Sequence, residues 1–296
     1  MPSPNEYNWN VTRRATFRSE RPSSRSSFRR RGSAAWQHVP PGVREGALDL
    51  APSALHKRLL QSRVASPLAM VLGRRLLHCF GDSHVLVLND VGKLLSRTWL
   101  TVDVAQGGTA LGLANPNSRS AALPKFLRVI RTLPASRPLL FMMGEVDCGY
   151  LIWHRAERLG LDVDDQLQAS FESYTNFLTS IRNQGRDTIV VAAIPPPTIL
   201  DGQTWGEVAI ARRNARIEVT ASLADRTMLT RRYNAMLRKW TAANGCLYLD
   251  YESETLDEET KLVRDRLRHP DGADHHLDPG QFAPIVAAGL RRFGFE

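Results

Sequence analysis

The sequence predicts a three-layer α/β fold with a five-stranded parallel sheet covered by helices on both faces. From residue 76 onward, short apolar runs alternate with longer amphipathic stretches. This alternation is typical of parallel sheets, whose strands are buried on both sides. The chain has 296 residues, of which 43% are hydrophobic, and this is enough for a large core. We therefore expect one domain that covers residues 76–296.

The apolar runs predict five strands, and the amphipathic stretches predict the helices between them. The strands are expected at residues 76–81, 100–105, 138–143, 188–194 and 246–250. The helices are expected at 84–96, 119–132, 165–184, 226–243 and 280–292, the last one starting after Pro279-Gly280. In such a sheet the functional loops lie at the carboxyl ends of the strands.

The basic character of the chain belongs to its N-terminal quarter. Residues 1–75 hold 14 Lys+Arg against 4 Asp+Glu, whereas residues 76–296 hold 25 against 26. The net charge of +9 and the sequence pI of about 9.9 therefore say little about the substrate of the domain.

Two segments are expected before the domain. Residues 1–45 are rich in Arg and Ser and bury too little apolar surface to offset the entropy of ordering, so disorder is predicted. An organelle transit peptide, or a basic arm that binds nucleic acid or acidic lipid, are the alternatives for this tail. Residues 46–75 form a lead-in segment, in which apolar residues at helical spacing over 53–73 predict an amphipathic helix.

Cysteine usage and hydropathy indicate the compartment. Cys79, Cys148 and Cys246 each adjoin an apolar run, and none belongs to a C-x-x-C pair, a pattern that suits a reducing environment. No apolar stretch reaches the roughly 20 residues needed to span a bilayer, and the N-terminus lacks the apolar core of a secretory signal. We expect a cytoplasmic protein without a membrane span, with organelle targeting by residues 1–45 as the alternative.

A candidate nucleophile follows the first strand. The apolar run that begins at Leu76 ends in Gly81-Asp82-Ser83-His84, which puts a serine between a strand and a helix. Backbone N–H groups at a helix start favour the negative charge that develops in acyl transfer. A serine in this position is also a common helix N-cap. Ser83 therefore needs a base and a carboxylate elsewhere before it indicates catalysis.

The candidate partners lie in one polar loop just before the last helix. Residues 271–280 contain Asp271, Asp274, His275 and His276, so this loop can present an imidazole with a carboxylate behind it. A metal site and an ordinary turn are the alternatives. The metal site is disfavoured because no further His or acid lies at ligand spacing in a comparable loop.

Two other loops are suited to hold a developing oxyanion. Gln106-Gly107-Gly108-Thr109 follows the second strand, and its glycines let the backbone approach a ligand closely. The third strand runs into Gly144-Glu145-Val146-Asp147-Cys148. Glycine and two acids at a strand end indicate a site, although an Asp147 that starts a helix explains this second loop nearly as well.

These four blocks, in this order, resemble the SGNH or GDSL-type hydrolase family over residues 76–295. The resemblance implies a flavodoxin-like arrangement of the predicted sheet and a serine hydrolase that needs no cofactor or metal. It implies Ser83 as the nucleophile and His276, which precedes Leu277, as the base. The carboxylate falls to Asp274, with Asp271 and His275 as the alternative acid and base.

The chain departs from the family pattern at two positions. The residue three before His276, where the family has its carboxylate, is alanine, and the family's oxyanion asparagine falls on Val146. Asn115 and Asn117, after the second strand, are candidates to replace that donor. Gly108 and Gly144 are further oxyanion or substrate candidates. A branch of the family carries a similar Gly-Glu-Ile-Asp-Cys pattern, which makes Glu145 a candidate for contact with substrate or histidine.

The resulting prediction is a serine esterase that acts on a small-molecule or carbohydrate ester, with an O-acetyl ester as one option. His276 would take the proton from Ser83, while N–H groups of Ser83 and Gly108 would hold the oxyanion. Two other functions stay open. One is an acyltransferase with a carbohydrate acceptor, which shares the acyl-enzyme step. The other is a catalytically weak binding protein of the same fold, which Val146 favours.

Overall fold

The computed structural model describes residues 68–69, 71–203, 220–272 and 274–296. All of them belong to one compact unit, Leu50–Glu296. The predictions for the basic tail over residues 1–45 lie outside the described residues, as does most of the predicted helix over 53–73. Within the described ranges, no helix has both the length and the apolarity required to cross a bilayer.

The predicted five-stranded parallel sheet is confirmed. Its strands are β1 (Arg75–Gly81), β2 (Thr98–Val104), β3 (Leu139–Met142), β4 (Ile189–Ala192) and β5 (Leu247–Leu249). Every neighbouring pair is parallel, and the strand order is β2-β1-β3-β4-β5. This is the order of flavodoxin-like sheets, in which the chain reverses its direction of winding between β1 and β3.

Seven α-helices are present among the described residues. They are α1 (Val87–Leu94), α2 (Ala122–Ile130), α3 (Ile152–Leu159), α4 (Val163–Arg182), α5 (Leu223–Ala243), α6 (Glu252–Thr255) and α7 (Pro279–Arg291). The five predicted helices correspond to α1, α2, α4, α5 and α7. The sequence analysis missed the four-residue helix α6 and also α3, which follows a π-helical turn over Asp147–Leu151. The apolar residues of this segment crowd into the turn and the start of α3, so no helical periodicity stands out.

Two apolar layers show that helices cover both faces of the sheet. One face packs against α1 and α7, and its core includes Leu77, Cys79, Leu140 and Val190. The other packs against α2, α4 and α5. On that face the strands contribute Phe80, Leu139, Phe141, Ile189 and Val191. The alternation along each strand divides its side chains between the two cores, as expected for a strand buried on both sides.

A glycine lets β1 end close against β3. A Cβ atom at Gly81 would lie 2.3 Å from the carbonyl oxygen of Met142 and 2.7 Å from the Cβ atom of Val85. Both distances are well inside van der Waals contact, so only glycine fits there. The next residues, Asp82 and Ser83, therefore emerge at the point where the winding reverses, which is where ligand crevices of such sheets lie.

Candidate active site

Ser83 is the first residue of a short 3-10 turn that leads into α1. The N-cap of this turn is Asp82, whose carboxylate accepts a hydrogen bond from the His84 backbone N–H at 2.9 Å. The alternative that Ser83 itself caps the helix is therefore wrong. Ser83 is buried, and within the described ranges its hydroxyl makes no hydrogen bond. Local structure thus does not account for a serine at this position.

His84, the residue after the serine, was given no role by the sequence analysis. Its ring is buried, with Nδ1 3.1 Å from Asp82 Oδ1 and Nε2 3.4 Å from Glu145 Oε2. Burial by itself lowers the pKa of His84, but the charges of Glu145 and Asp82 outweigh it and raise the pKa to about 9. His84 is therefore an imidazolium at neutral pH. Its position directly after Ser83 was the only signal in the sequence.

Glu145 comes to this site from the end of β3. Its side chain is buried, and burial raises its pKa to about 7, with the charge of His84 acting in the opposite direction. Its carboxylate oxygens accept no hydrogen bond from the described part of the chain. The histidine that Glu145 contacts is His84.

Gly144 allows the chain to turn from β3 toward Glu145. Its φ angle is +118°, a backbone conformation that residues other than glycine rarely adopt. A Cβ atom here would also lie 2.7 Å from Ile194 Cδ1. The carbonyl of Gly144 accepts a hydrogen bond from the Cys148 N–H at 3.0 Å. Backbone conformation and packing therefore explain why residue 144 is glycine, without any contact with substrate.

Asp147 ties this segment to the loop after β2. Its carboxylate accepts hydrogen bonds from the N–H groups of Ala110 (2.6 Å) and Leu111 (3.0 Å) and from Ser170 Oγ (2.9 Å). Burial raises the pKa of Asp147 to about 6, against the effect of these hydrogen bonds. Asp147 is thus a structural link between two loops at the same end of the sheet.

The predicted oxyanion candidates after β2 take part in turns of their own loop. The Gly108 N–H donates to the carbonyl of Ala105 at 2.8 Å, so it is already used in a turn. Asn115 and Asn117 are exposed, and Asn115 Oδ1 accepts a hydrogen bond from the Asn117 N–H at 2.9 Å. The turns of this loop thus use the Gly108 N–H and Asn115 Oδ1, which the composition of the loop does not reveal.

The late loop pairs His276 with Asp274. Asp274 Oδ1 lies 2.6 Å from His276 Nδ1 and also accepts the His276 backbone N–H at 2.9 Å. Burial alone would raise the pKa of Asp274, but these two hydrogen bonds hold it below its usual value. Asp271 is exposed on the same loop, where its N–H donates to His269 Nδ1 at 3.2 Å. The carboxylate found on His276 is therefore the one two residues before it.

The late loop and the turn after β1 meet in space. The ring of His84 lies 4.6 Å from that of His276 and 5.1 Å from that of His275, measured between centroids. Thr198, which follows β4, donates a hydrogen bond to the carbonyl of His275 at 2.8 Å and so anchors the loop at this end of the sheet. His276, which is far from Ser83 in sequence, thus lies next to His84, the residue that follows Ser83.

His275, the alternative base, lies deeper in the protein than His276. Its ring lies 4.1 Å from that of His276. Burial lowers the pKa of His275 to about 3, and the charges of His84 and His276 act in the same direction. His275 is therefore neutral across the physiological range.

Comparison with known proteins gives structural likenesses only. No family model matches the chain, and no curated protein matches it. A GDSL-like lipase from Bacteroides thetaiotaomicron superposes with a TM-score of 0.46 at 13% identity, over 78% of this chain and 95% of that one. A lipase/acylhydrolase from Enterococcus faecalis does so with a TM-score of 0.42 at 14% identity, over 74% and 96%. Such values assign no activity to this chain.

Proposed function

We propose that the protein is a serine esterase of the SGNH type, with Ser83 as nucleophile, His276 as general base and Asp274 as the carboxylate that orients it. One observation carries the proposal. The hydrogen-bonded pair of His276 and Asp274 lies against His84, the residue next to a buried serine whose hydroxyl local structure does not use. An imidazole held by a carboxylate near a serine is the arrangement that nucleophilic acyl transfer needs.

The geometry supports a two-step reaction through an acyl-enzyme. Because Asp274 accepts the proton of His276 Nδ1, the lone pair of His276 is on Nε2, which takes the proton from Ser83 Oγ. Ser83 Oγ attacks the ester carbonyl, and the imidazolium returns the proton to the alcohol that leaves. Water, deprotonated by His276, then attacks the acyl-enzyme and releases the acid and free Ser83. Asp274 stabilises the imidazolium in both steps.

The oxyanion is the weakest part of this site. The Ser83 N–H at the start of the turn before α1 remains the proposed donor, in a region where helical N–H groups favour negative charge. We do not propose Gly108 as a donor, because its N–H already donates to Ala105. Val146 has no side-chain donor. Loss of one such donor costs roughly 10² to 10³ in turnover. We therefore propose a slow esterase on small-molecule or carbohydrate esters, a substrate class that rests on the resemblance of the sequence blocks.

The lack of a side-chain oxyanion donor at Val146 also favours a second candidate function, that of a catalytically weak binding protein. Both candidates use the crevice at the ends of β1 and β3, and they differ in whether Ser83 reacts. An acyltransferase shares the acyl-enzyme with the esterase, so it differs only in the acceptor. Product analysis with a sugar acceptor present separates transfer from hydrolysis.

The decisive experiment is covalent labelling of the full chain with a fluorophosphonate, together with hydrolysis of a short-chain nitrophenyl ester. We expect wild type to be labelled at Ser83 and to hydrolyse the ester. Ser83→Ala should not be labelled, and its rate of ester hydrolysis should be lower by at least about 10³-fold. Ser253→Ala, at an exposed serine, is the matched control and should behave as wild type. Equal hydrolysis by wild type and Ser83→Ala would refute the esterase, and absence of labelling would favour the binding protein.

A further inference from the structure

Three histidines come together at the carboxyl end of the sheet. One ring nitrogen from each of His84, His275 and His276 can be chosen so that all three lie within 4.8 Å of one another. His84 and His275 are buried, and His276 is half-buried. The sequence analysis found no third ligand for the late loop because His84 lies about 190 residues away in the chain.

The size of this triangle is close to that of a tetrahedral metal site. Zn–N distances of about 2.0–2.1 Å at tetrahedral angles put two ligand nitrogens roughly 3.4 Å apart. The three nitrogens therefore need to approach one another by at most about 1.5 Å. Imidazole is a preferred ligand of zinc and of neighbouring late transition metals.

Two of the three rings already have the outer partners that metal-bound histidines have. Asp82 contacts Nδ1 of His84, and Asp274 contacts Nδ1 of His276. A carboxylate on one ring nitrogen fixes the tautomer, so that the other nitrogen carries the lone pair for an ion. Such carboxylate–histidine–metal chains orient the ligands and increase their basicity.

The surroundings also suit a buried cation. Asp82 and Glu145 are both about 1% exposed and lie within 3.4 Å of the His84 ring. Buried charges are stable only when opposite charges compensate them. A divalent ion would displace the proton of His84 on binding, and these two carboxylates would then lie beside the ion.

We propose that His84, His275 and His276 bind one divalent transition-metal ion of the Zn²⁺ type. The ion would occupy the nitrogen that His276 uses as base, so metal binding and ester hydrolysis would exclude each other. This inhibitory consequence rests on the proposed function, whereas the metal site does not.

Co²⁺ titration of the tag-free full chain tests the site, because tetrahedral Co²⁺ has visible absorption bands that the octahedral aqua ion shows only weakly. We expect one ion per chain in wild type. His84→Gln and His275→Gln should each weaken binding at least tenfold, since removal of an outer partner alone typically costs 10- to 100-fold. His269→Gln, which removes a histidine that precedes this loop and lies outside the triangle, is the matched control and should bind as wild type.

Two further measurements keep the metal site and the esterase separable. Ser83→Ala should bind Co²⁺ as wild type does while it loses hydrolysis, so a failure of the esterase leaves the metal test intact. In wild type, Zn²⁺ should inhibit hydrolysis and a chelator should restore it. The site would be overturned if wild type gave no tetrahedral Co²⁺ spectrum. It would also be overturned if the His84→Gln and His275→Gln variants unfolded as wild type does on heating and bound Co²⁺ as tightly as wild type. Binding that leaves hydrolysis unchanged would overturn the overlap with His276.

Discussion

The molecule contains two buried histidine–carboxylate networks that differ in how they are built. In the middle of β1, His78 Nε2 lies 2.7 Å from Asp103 Oδ2 and His78 Nδ1 lies 2.7 Å from Thr101 Oγ1. Thr101 is the register partner of His78 on β2, and Asp103 is two residues further along the same strand. Adjacent strands therefore supply the whole network, and both ring nitrogens of His78 have a partner.

The second network lies at the carboxyl edge of the same strand. There His84, His275 and His276 come from two segments far apart in sequence, next to Ser83 and the acids Asp82, Glu145 and Asp274. The comparison teaches that a buried histidine beside a carboxylate is not in itself a site. The edge network is the candidate site because its members come from distant loops and lie next to a serine whose hydroxyl makes no hydrogen bond to the described residues.

Among the variants that test this comparison, we expect the largest effect from Asp274→Asn, on the rate of ester hydrolysis. Loss of the negative carboxylate from His276 Nδ1 favours the wrong tautomer and leaves the imidazolium without its counter-charge, so the rate of ester hydrolysis should fall roughly 10²- to 10⁴-fold. Steady-state kinetics on a nitrophenyl ester measure it. Asp271→Asn, on the exposed part of the same loop, is the control and should stay within a few-fold of wild type. The reverse result would move the carboxylate role to Asp271.

His78→Leu tests the interior network. It leaves the buried Asp103 carboxylate without its ring partner, so the free energy of unfolding should fall by about 3–5 kcal/mol. Urea denaturation measures the loss. Labelling of Ser83 in the remaining folded protein should be unchanged, because His78 lies in the sheet interior. Loss of labelling without loss of stability would show that the two networks are not separate.

Asp147→Ala tests the structural acid that lies two residues after Glu145. It leaves the N–H groups of Ala110 and Leu111 without an acceptor, at about 1–3 kcal/mol for each, so we expect a loss near 3 kcal/mol. The Ser170 hydroxyl also loses Asp147 but keeps Tyr233 as a partner at 3.2 Å. The free energy of unfolding in urea is the readout. Asp187→Ala, at an exposed acid before β4, should change it by less than about 0.5 kcal/mol. Similar losses in both variants would contradict the role of Asp147.

The smallest effect is expected from a pair of glycine variants. Gly160, at the end of α3, has a φ angle of +63° and open space around it, so Gly160→Ala should cost about 1 kcal/mol. Gly144→Ala adds the contact with Ile194 to a φ angle of +118°, so it should cost about 2–3 kcal/mol. Thermal unfolding of both variants measures which one loses more stability. Equal decreases in Tm would show that the contact with Ile194 adds no cost at position 144.

The sheet and its order of elements could be predicted from sequence because strand burial is a local pattern. Each strand is a short run with apolar residues on both faces, and glycines such as Gly81 and Gly144 mark where the chain must turn closely. Helix α3 escaped prediction because its periodicity is hidden behind the π-helical turn at Asp147–Leu151. Every strand end was predicted to within two residues.

The site could be predicted only in part. The blocks that hold Ser83, Glu145 and the late loop were identified because each is an unusual polar sequence after an apolar strand or before a helix. The N–H of Gly108 makes a turn with Ala105 that the composition of the loop does not reveal. His84 was missed because nothing within a few residues of it shows that Glu145 and His276 will surround it.

By itself, then, the sequence determined the layers, the strand succession and the loops that carry polar groups, because side-chain period and glycine placement act over a few residues. The tertiary structure decided which of those polar groups meet. The pairing of β1 with β3 brought Glu145 to His84, and the anchoring of the late loop at Thr198 brought His276 beside them. Contacts between segments so distant in sequence depend on strand order and loop path, which no local pattern specifies.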